Sequence, residues 1–145
     1  MFDGALWRRK EGLPPAMKAV YDRAKEARRK CRAGRFTLRP DIAFTYAKSP
    51  EEFMQRPAIK LILECKNADY AFWEKDVEGQ VKPYAEIFQP EYIAIASLKP
   101  VPQYVKEGLS GYGVDVVDNV HPGGLGEREL IAYIKRALGQ GIIGL

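Results

Sequence analysis

Apolar runs alternate with amphipathic segments along this chain, and the two periods predict strands and helices in turn. The clearest strand covers residues 59–66, where Ile62 faces one way and three apolar residues face the other: Ile59, Leu61 and Leu63. Apolar residues on both faces indicate a strand that is covered on both sides. Three further strands are predicted, at residues 36–46, 91–98 and 114–117. Pro40 interrupts the first of these, which favours an edge strand or a bulge.

Helices are predicted where apolar residues recur at helical spacing, at residues 14–34, 80–89, 101–108 and 127–138. The first helix opens at Pro14-Pro15, ends near Gly34 and carries a stripe of small apolar residues. Residues 49–57 are predicted as a polar connector, and residues 67–79 as a loop that leads into the second helix.

The resulting order α-β-β-α-β-α-β-α favours an α/β fold, a three-layer sandwich with a central mixed β-sheet flanked by helices. The first two strands are expected to pair as an antiparallel hairpin. The 145 residues fit one domain, 1–145, with a sizeable core. No apolar run reaches the roughly 18 residues of a membrane span, and the first ten residues lack the apolar core of a signal peptide. The chain is therefore predicted to be cytoplasmic, with no membrane partner.

The amino-acid composition disfavours several kinds of metal site and of catalytic site. The chain has two cysteines and one histidine, too few for a four-cysteine zinc or iron–sulfur site or a His-rich metal centre. Cys/His and Ser/His catalysis are disfavoured for the same reason. Catalysis would have to come from carboxylates, Lys, Tyr and a hard metal ion.

The net charge of +4 hides an asymmetry. Residues 7–39 carry twelve Lys and Arg against three Asp and Glu, whereas residues 40–145 carry eleven against fifteen. The basic segment 7–39 suits binding to a polyanion, and the acidic remainder offers carboxylates that could bind a metal. The alternative is a solvated basic helix without a partner. Five arginines of the basic segment are candidate phosphate contacts: Arg23, Arg28, Arg29, Arg32 and Arg35.

Three charged residues interrupt the predicted strands. Asp41 follows Pro40 at a strand bend, while Glu64 and Lys66 end the most apolar strand and share one of its faces. Cys65 points the other way and is predicted to be a small buried apolar residue. If the two strands pair, Asp41 and Glu64 converge, and their oxygens suit Mg²⁺. The alternative is a buried ion pair with Lys66 that only holds the sheet.

Pro40-Asp41 followed by Glu64-Cys65-Lys66 resembles the signature of the PD-(D/E)xK nuclease superfamily. The resemblance covers residues 14–98 and implies a restriction-endonuclease-like core and a Mg²⁺- or Mn²⁺-dependent deoxyribonuclease. It implies that Asp41, Glu64 and the Cys65 carbonyl bind the metal and that Lys66 organises the attacking water. The separation of 23 residues between Asp41 and Glu64 is longer than in many members.

Gln80-Val81-Lys82-Pro83-Tyr84 is similar to the Gln-x-x-x-Tyr motif of the RecB-like branch of that superfamily. The likeness implies that Gln80 and Tyr84 lie one helical turn apart and contact substrate phosphate or the metal-bound water. Several superfamily members carry a catalytic glutamate on the first helix. Glu26 is the best candidate here, with a surface pair to Lys30 or Asp22 as the alternative.

The expected partner is DNA, whether duplex, single-stranded or branched, in repair, recombination or defence. The short chain and basic helix also resemble small Holliday-junction resolvases, a structure-specific alternative. A homodimer would supply the two sites needed to cut two strands. The remaining alternatives are a non-catalytic nucleic-acid-binding domain that keeps the nuclease fold and a domain whose basic helix binds an acidic protein.

Overall fold

The computed structural model describes residues 12–31 and 40–139. The predicted helix end near Gly34 and residues 36–39 of the first predicted strand lie outside these residues. Within them the helices are α1 (Pro15–Cys31), α2 (Pro50–Gln55), α3 (Glu74–Asp76), α4 (Lys82–Phe88), α5 (Gln103–Ser110) and α6 (Gly126–Leu138). The strands are β1 (Ile42–Thr45), β2 (Ile59–Lys66), β3 (Tyr92–Ser97) and β4 (Val114–Val117).

The four strands form one open, mixed sheet in the order β1-β2-β3-β4. β1 pairs antiparallel with β2, and the other two pairings are parallel. The α/β class, the mixed sheet and the hairpin are therefore confirmed. The carboxyl ends of β2, β3 and β4 meet at one edge of the sheet, where the antiparallel β1 begins; we call this the carboxyl edge.

Apolar side chains fill both faces of the sheet, which makes the fold compatible with a three-layer sandwich. On one face Ile62 packs with residues of α1 and α4, including Val20, Tyr84 and Ile87. On the other face, α6 supplies Tyr133, Ile134 and Ala137 against a second group of buried residues from the strands: Leu61, Leu63, Ala94 and Val117. The two-sided burial predicted for β2 is confirmed.

Ile59 departs from the predicted alternation. It was expected on the face of Leu61 and Leu63 but packs in the same cluster as Ile62. The reason is a register shift in the hairpin, where Phe44 pairs with Leu61 while Thr45 pairs with Ile59, so that Lys60 has no partner on β1. An extra residue of this kind breaks the two-residue period.

The prediction of a polar connector at residues 49–57 was wrong, because helix α2 lies there. Ser49 caps it by accepting a hydrogen bond from the Glu52 N–H at 3.1 Å, and Pro50 occupies its first turn. The Glu52 carboxylate in turn accepts from the Lys48 N–H at 3.0 Å. Phe53 is the buried residue that attaches this short helix to the core.

The helix predicted at residues 80–89 begins earlier and is not regular. A 3₁₀ turn at Tyr70–Phe72 and α3 precede it, and a π turn covers Val77–Val81 before α4. A π turn holds an extra residue, so it shifts the angular phase of the side chains on either side of it. The third predicted helix, residues 101–108, is observed two residues later as α5 (Gln103–Ser110).

Among the described residues, none of the helices combines the length and the apolar character that crossing a membrane requires.

The chain after β4 is fastened to the sheet at the carboxyl edge. The buried Asp118 carboxylate accepts from the Val101 N–H at 2.7 Å and from Lys106 Nζ at 2.8 Å. A Cβ added to Gly126, where α6 begins, would lie 1.8 Å from the Asp118 carbonyl oxygen. Only a glycine allows the backbone to pass this closely.

Gly126→Ala should lower the free energy of unfolding by at least about 1–3 kcal/mol, because the methyl group collides with backbone that cannot move aside. Gly108→Ala is the matched control, since a Cβ there meets nothing within 4 Å and the residue lies inside α5. It should stabilise by about 0.5–1 kcal/mol. Urea unfolding measures both, and equal effects of the two substitutions would contradict the close approach.

Asp118 gives the stability a pH dependence. Burial raises the pKa of this carboxyl, but its hydrogen bonds from Lys106 and Val101 and the charge of Lys106 lower the pKa more, to below its ordinary value. The resulting stabilisation is complete above the unfolded-state pKa of about 3.9 and is lost as the pH falls through the folded-state value. Asp118→Asn should cost about 1–3 kcal/mol at pH 7 and less below pH 4, measured by urea unfolding at both. A cost that does not change with pH would refute the assignment.

Candidate metal site at the carboxyl edge

Asp41 and Glu64 meet where the hairpin opens onto the carboxyl edge. The Asp41 N–H donates to Glu64 Oε1 at 2.9 Å, and the Cys65 N–H donates to Asp41 Oδ2 at 2.8 Å. Asp41 is exposed, whereas Glu64 is only 3% exposed. Two carboxylates from residues 23 positions apart are thus joined through backbone hydrogen bonds at one point.

Pro40 explains why the pairing of the hairpin stops here. Extending the pairing of Ile42 with Leu63 by two residues would set Pro40 opposite Cys65. Proline has no N–H to donate to the Cys65 carbonyl, so the antiparallel ladder loses a bond at this position. The Cys65 N–H donates to the Asp41 side chain. The N–H and C=O of one strand residue point to the same side, so the Cys65 carbonyl also faces Asp41.

These oxygens fit a hard divalent cation. A carboxylate as buried as Glu64, close to a second carboxylate, is stabilised by a positive charge or by hydrogen bonds. Asp41, Glu64 and the Cys65 carbonyl form an oxygen-only donor set of the kind that Mg²⁺ prefers. Among residues 12–31 and 40–139, no three His, Cys, Asp or Glu side chains are grouped to hold a metal. A cation here would take its other ligands from main-chain carbonyls, substrate or water.

Lys66 lies two residues beyond Glu64 on the same face of β2, partly buried. Its carbonyl accepts from the Leu98 N–H at 2.8 Å, which ties the end of β2 to the segment that follows β3. The structure therefore brings Asp41, Glu64 and Lys66 to one corner of the carboxyl edge.

Gln80 and Tyr84 do not share one environment. Gln80 lies in the π turn and is half-buried, whereas Tyr84 is fully buried in the core with its ring centroid 6.3 Å from that of Phe88. The π turn between them explains the difference, since the regular spacing that places i and i+4 on one face does not apply. Their contact with substrate stays a prediction.

The residues of the first helix serve mainly local contacts where they are described. Arg23 Nε donates to the Ile87 carbonyl at 2.8 Å and so fastens α1 to α4. Arg29 forms an exposed ion pair with Glu26 at 2.6 Å. Phosphate contacts by Arg23 and Arg29 and a catalytic role of Glu26 stay predictions. The Arg28 side chain, Arg32 and Arg35 lie outside what the structure describes.

The prediction that Cys65 is buried was wrong, because its side chain is exposed. β2 has eight residues, whereas β1 and β4 have four each. Cys65 lies near the carboxyl end of β2 and is not in the group of buried residues that packs against α6, which includes Leu61 and Leu63. Partial burial raises the pKa of the Cys65 thiol, and the charges of Asp41 and Glu64 raise it further against the opposing effect of Lys66.

Two residues of the carboxyl edge were missed by sequence reasoning. Asp118 is a third carboxylate of this edge and directly follows β4, but both its oxygens hold the loops together. Tyr104, in the first turn of α5, contacts Tyr70 through their hydroxyls at 3.3 Å. Asp118 could have been found from its place directly after the apolar strand at 114–117. Tyr104 could not, because its partner is 34 residues away in the chain.

A groove of about 640 Å³ lies along the edge strand β4, between α5 and α6. Charged and apolar side chains both line it, and inside it the Tyr133 hydroxyl donates to Asp115 at 2.8 Å. The groove lies two strands away from Glu64 and does not include Asp41, Glu64 or Lys66.

No match was found to any family model, curated protein or solved structure.

Replacing Asp41 should change the reactivity of Cys65. In a Cys31→Ser background, Asp41→Asn removes a negative charge but keeps an oxygen for the Cys65 N–H. The thiol pKa should fall, and alkylation by iodoacetamide at pH 7.5 should become several-fold faster because more thiolate is present. Glu129→Gln on the exposed face of α6 is the control and should leave the rate unchanged. A slower or equal rate in Asp41→Asn would show that the two groups do not interact.

Proposed function

We propose that this protein is a metal-dependent DNA nuclease with a restriction-endonuclease-like core, a cytoplasmic hydrolase of phosphodiester bonds. The observation that carries the proposal is the joining of Asp41 to Glu64 and Cys65 by two backbone hydrogen bonds at the corner that also holds Lys66. An ion pair with Lys66 could hold the sheet on its own, whereas a second carboxylate at the same corner favours a metal site. The pattern is that of the PD-(D/E)xK superfamily.

Asp41 and Glu64 would hold Mg²⁺ or Mn²⁺ with the help of the Cys65 carbonyl. Such an ion supplies a more acidic water and neutralises charge on the phosphate under attack. Asp41 provides a solvent-accessible oxygen set at the bend, and Glu64 provides a carboxylate whose position is fixed by the Asp41 N–H. This difference in exposure gives one rigid and one accessible ligand.

Lys66 would act on the water and the phosphate. In its ammonium form it can donate to a phosphate oxygen and so oppose the negative charge that develops there. In hydrolysis the water oxygen forms a bond to phosphorus, the bond from phosphorus to one sugar oxygen breaks, and that oxygen takes up a proton. Lys66 stands on the face of β2 that carries Glu64, so it can orient the water that enters beside the carboxylates. Gln80, half-buried in the π turn, would position the substrate.

The excess of twelve Lys and Arg over three acidic residues at 7–39 supports DNA as the polyanion. Contacts of this kind give affinity without sequence preference. A homodimer would bring two such sites to the two strands of a duplex.

The test is a cleavage assay with Mg²⁺ or Mn²⁺ on single-stranded, duplex, flap and four-way-junction DNA. Asp41→Asn, Glu64→Gln and Lys66→Ala should each lower the cleavage rate at least about 100-fold while DNA binding is retained. Glu64→Gln keeps an acceptor for the Asp41 N–H, so its loss of activity should occur without a large change in thermal stability.

Lys60→Ala is the matched control for Lys66→Ala, since Lys60 is a partly buried lysine of the same strand at its opposite end. It should cleave at the wild-type rate. If the wild-type chain cleaves none of the four DNA structures with either metal, the nuclease proposal is wrong. Retained DNA binding in that case would identify a non-catalytic nucleic-acid-binding domain.

A further inference from the structure

Three aromatic residues lie on the segments that follow β2 and β3 at the carboxyl edge, Tyr70, Phe72 and Tyr104, and we call this set the platform. Phe72 is 75% exposed and Tyr104 is 69% exposed. Tyr70 lies between the ends of β2 and α5 and contacts Tyr104 through the two hydroxyls at 3.3 Å. Single exposed aromatic residues are ordinary on protein surfaces, but a cluster beside a candidate site marks an interaction surface.

Hydrogen bonds on either side hold the 3₁₀ turn that carries Tyr70 and Phe72. The Asp69 side chain caps the 3₁₀ turn by accepting from the Ala71 N–H at 3.0 Å. Trp73, which is buried, donates from Nε1 to the Ala68 carbonyl at 3.1 Å. Phe72 is therefore presented to solvent by a turn that is fastened on both sides.

The platform lies beside the proposed metal site. The 3₁₀ turn begins four residues after Lys66, and α5 follows the carboxyl end of β3, the parallel neighbour of β2. Lys75 and Lys99 are exposed on the segments that carry and adjoin the platform, where Glu74 and Glu78 are exposed as well. Aromatic faces with cations nearby are the combination by which proteins hold unpaired nucleic acid, with stacked bases and neutralised phosphates.

We propose that Phe72 and Tyr104 stack on unpaired bases, so that the nuclease takes single-stranded DNA or a single-stranded end. A duplex buries its base faces in its own stack and offers phosphates and groove edges instead. An exposed aromatic ring would therefore gain little stacking contact from a duplex. The inference rests on the proposed function for its link to cleavage, while the binding can be measured without cleavage.

The test is fluorescence anisotropy of the full chain in EDTA with a labelled 20-nucleotide single strand and a 20-base-pair duplex. Phe72→Ala and Tyr104→Ala should each weaken single-strand binding about 5-fold or more, whereas Phe72→Trp and Tyr104→Phe should bind like the wild type. Duplex binding should change less than about 2-fold, since phosphate contacts remain. Tyr112→Ala is the matched control, since Tyr112 is also 69% exposed but precedes β4 at the opposite edge of the sheet, where Lys82 lies over its ring.

A strand of the same length with abasic sites separates stacking from charge. The wild type should lose affinity for it, and Phe72→Ala should lose little more, because the bases it would have contacted are already gone. The proposal is overturned if both alanine variants bind single strands as the wild type does, or if duplex binding falls equally. A change in self-association instead of DNA binding would also overturn it and identify a protein contact.

The two proposals fail in different ways. Stacking on single strands without cleavage by the wild type would remove the nuclease and leave the platform. Cleavage that is unaffected by Phe72→Ala and Tyr104→Ala would remove the platform and leave the nuclease.

Discussion

A carboxylate buried at the end of an apolar strand needs a partner, and the way Glu64 obtains one shapes this end of the molecule. One of its partners is the Asp41 N–H, which lies just before the first paired residue of β1. The Asp41 side chain in turn accepts from the Cys65 N–H. Pro40 offers no N–H to the Cys65 carbonyl, so the ladder is interrupted where the two carboxylates meet.

Much of the fold follows from periodicity, because burial on two faces leaves an unambiguous pattern. β2, β3 and β4 were predictable for this reason, and α6 was predictable because its apolar residues recur at helical spacing on one side. Helix α2 was not, since six mostly polar residues bury only Phe53; the Ser49 and Glu52 capping pattern carried the signal that composition hid. The displaced Ile59 and the π turn depend on a single extra residue each, and a regular period cannot contain one.

The site was predictable to the extent that strands fix it. Residues two apart on a strand lie on the same face, which places Lys66 beside Glu64. The pairing of the first two strands, with a bend at Pro40, brings Asp41 to Glu64. Helical spacing was a weaker guide, since it supposed a regular helix between Gln80 and Tyr84. Tyr104 depends on a contact between distant segments, and no local pattern in the sequence encodes such a contact.

The hydrogen bonds of Asp118 and the close backbone approach at Gly126 distinguish one end of the carboxyl edge from the other. Beyond β4, the buried Asp118 carboxylate joins three segments, and the start of α6 passes close to the backbone at Asp118 and Asn119. Beyond β1 and β2, Asp41 and Phe72 are open to solvent. The residues beyond β4 are thus held by hydrogen bonds and close backbone contact, whereas the end of the edge beside β1 presents exposed side chains, from which a ligand of the proposed metal site would approach.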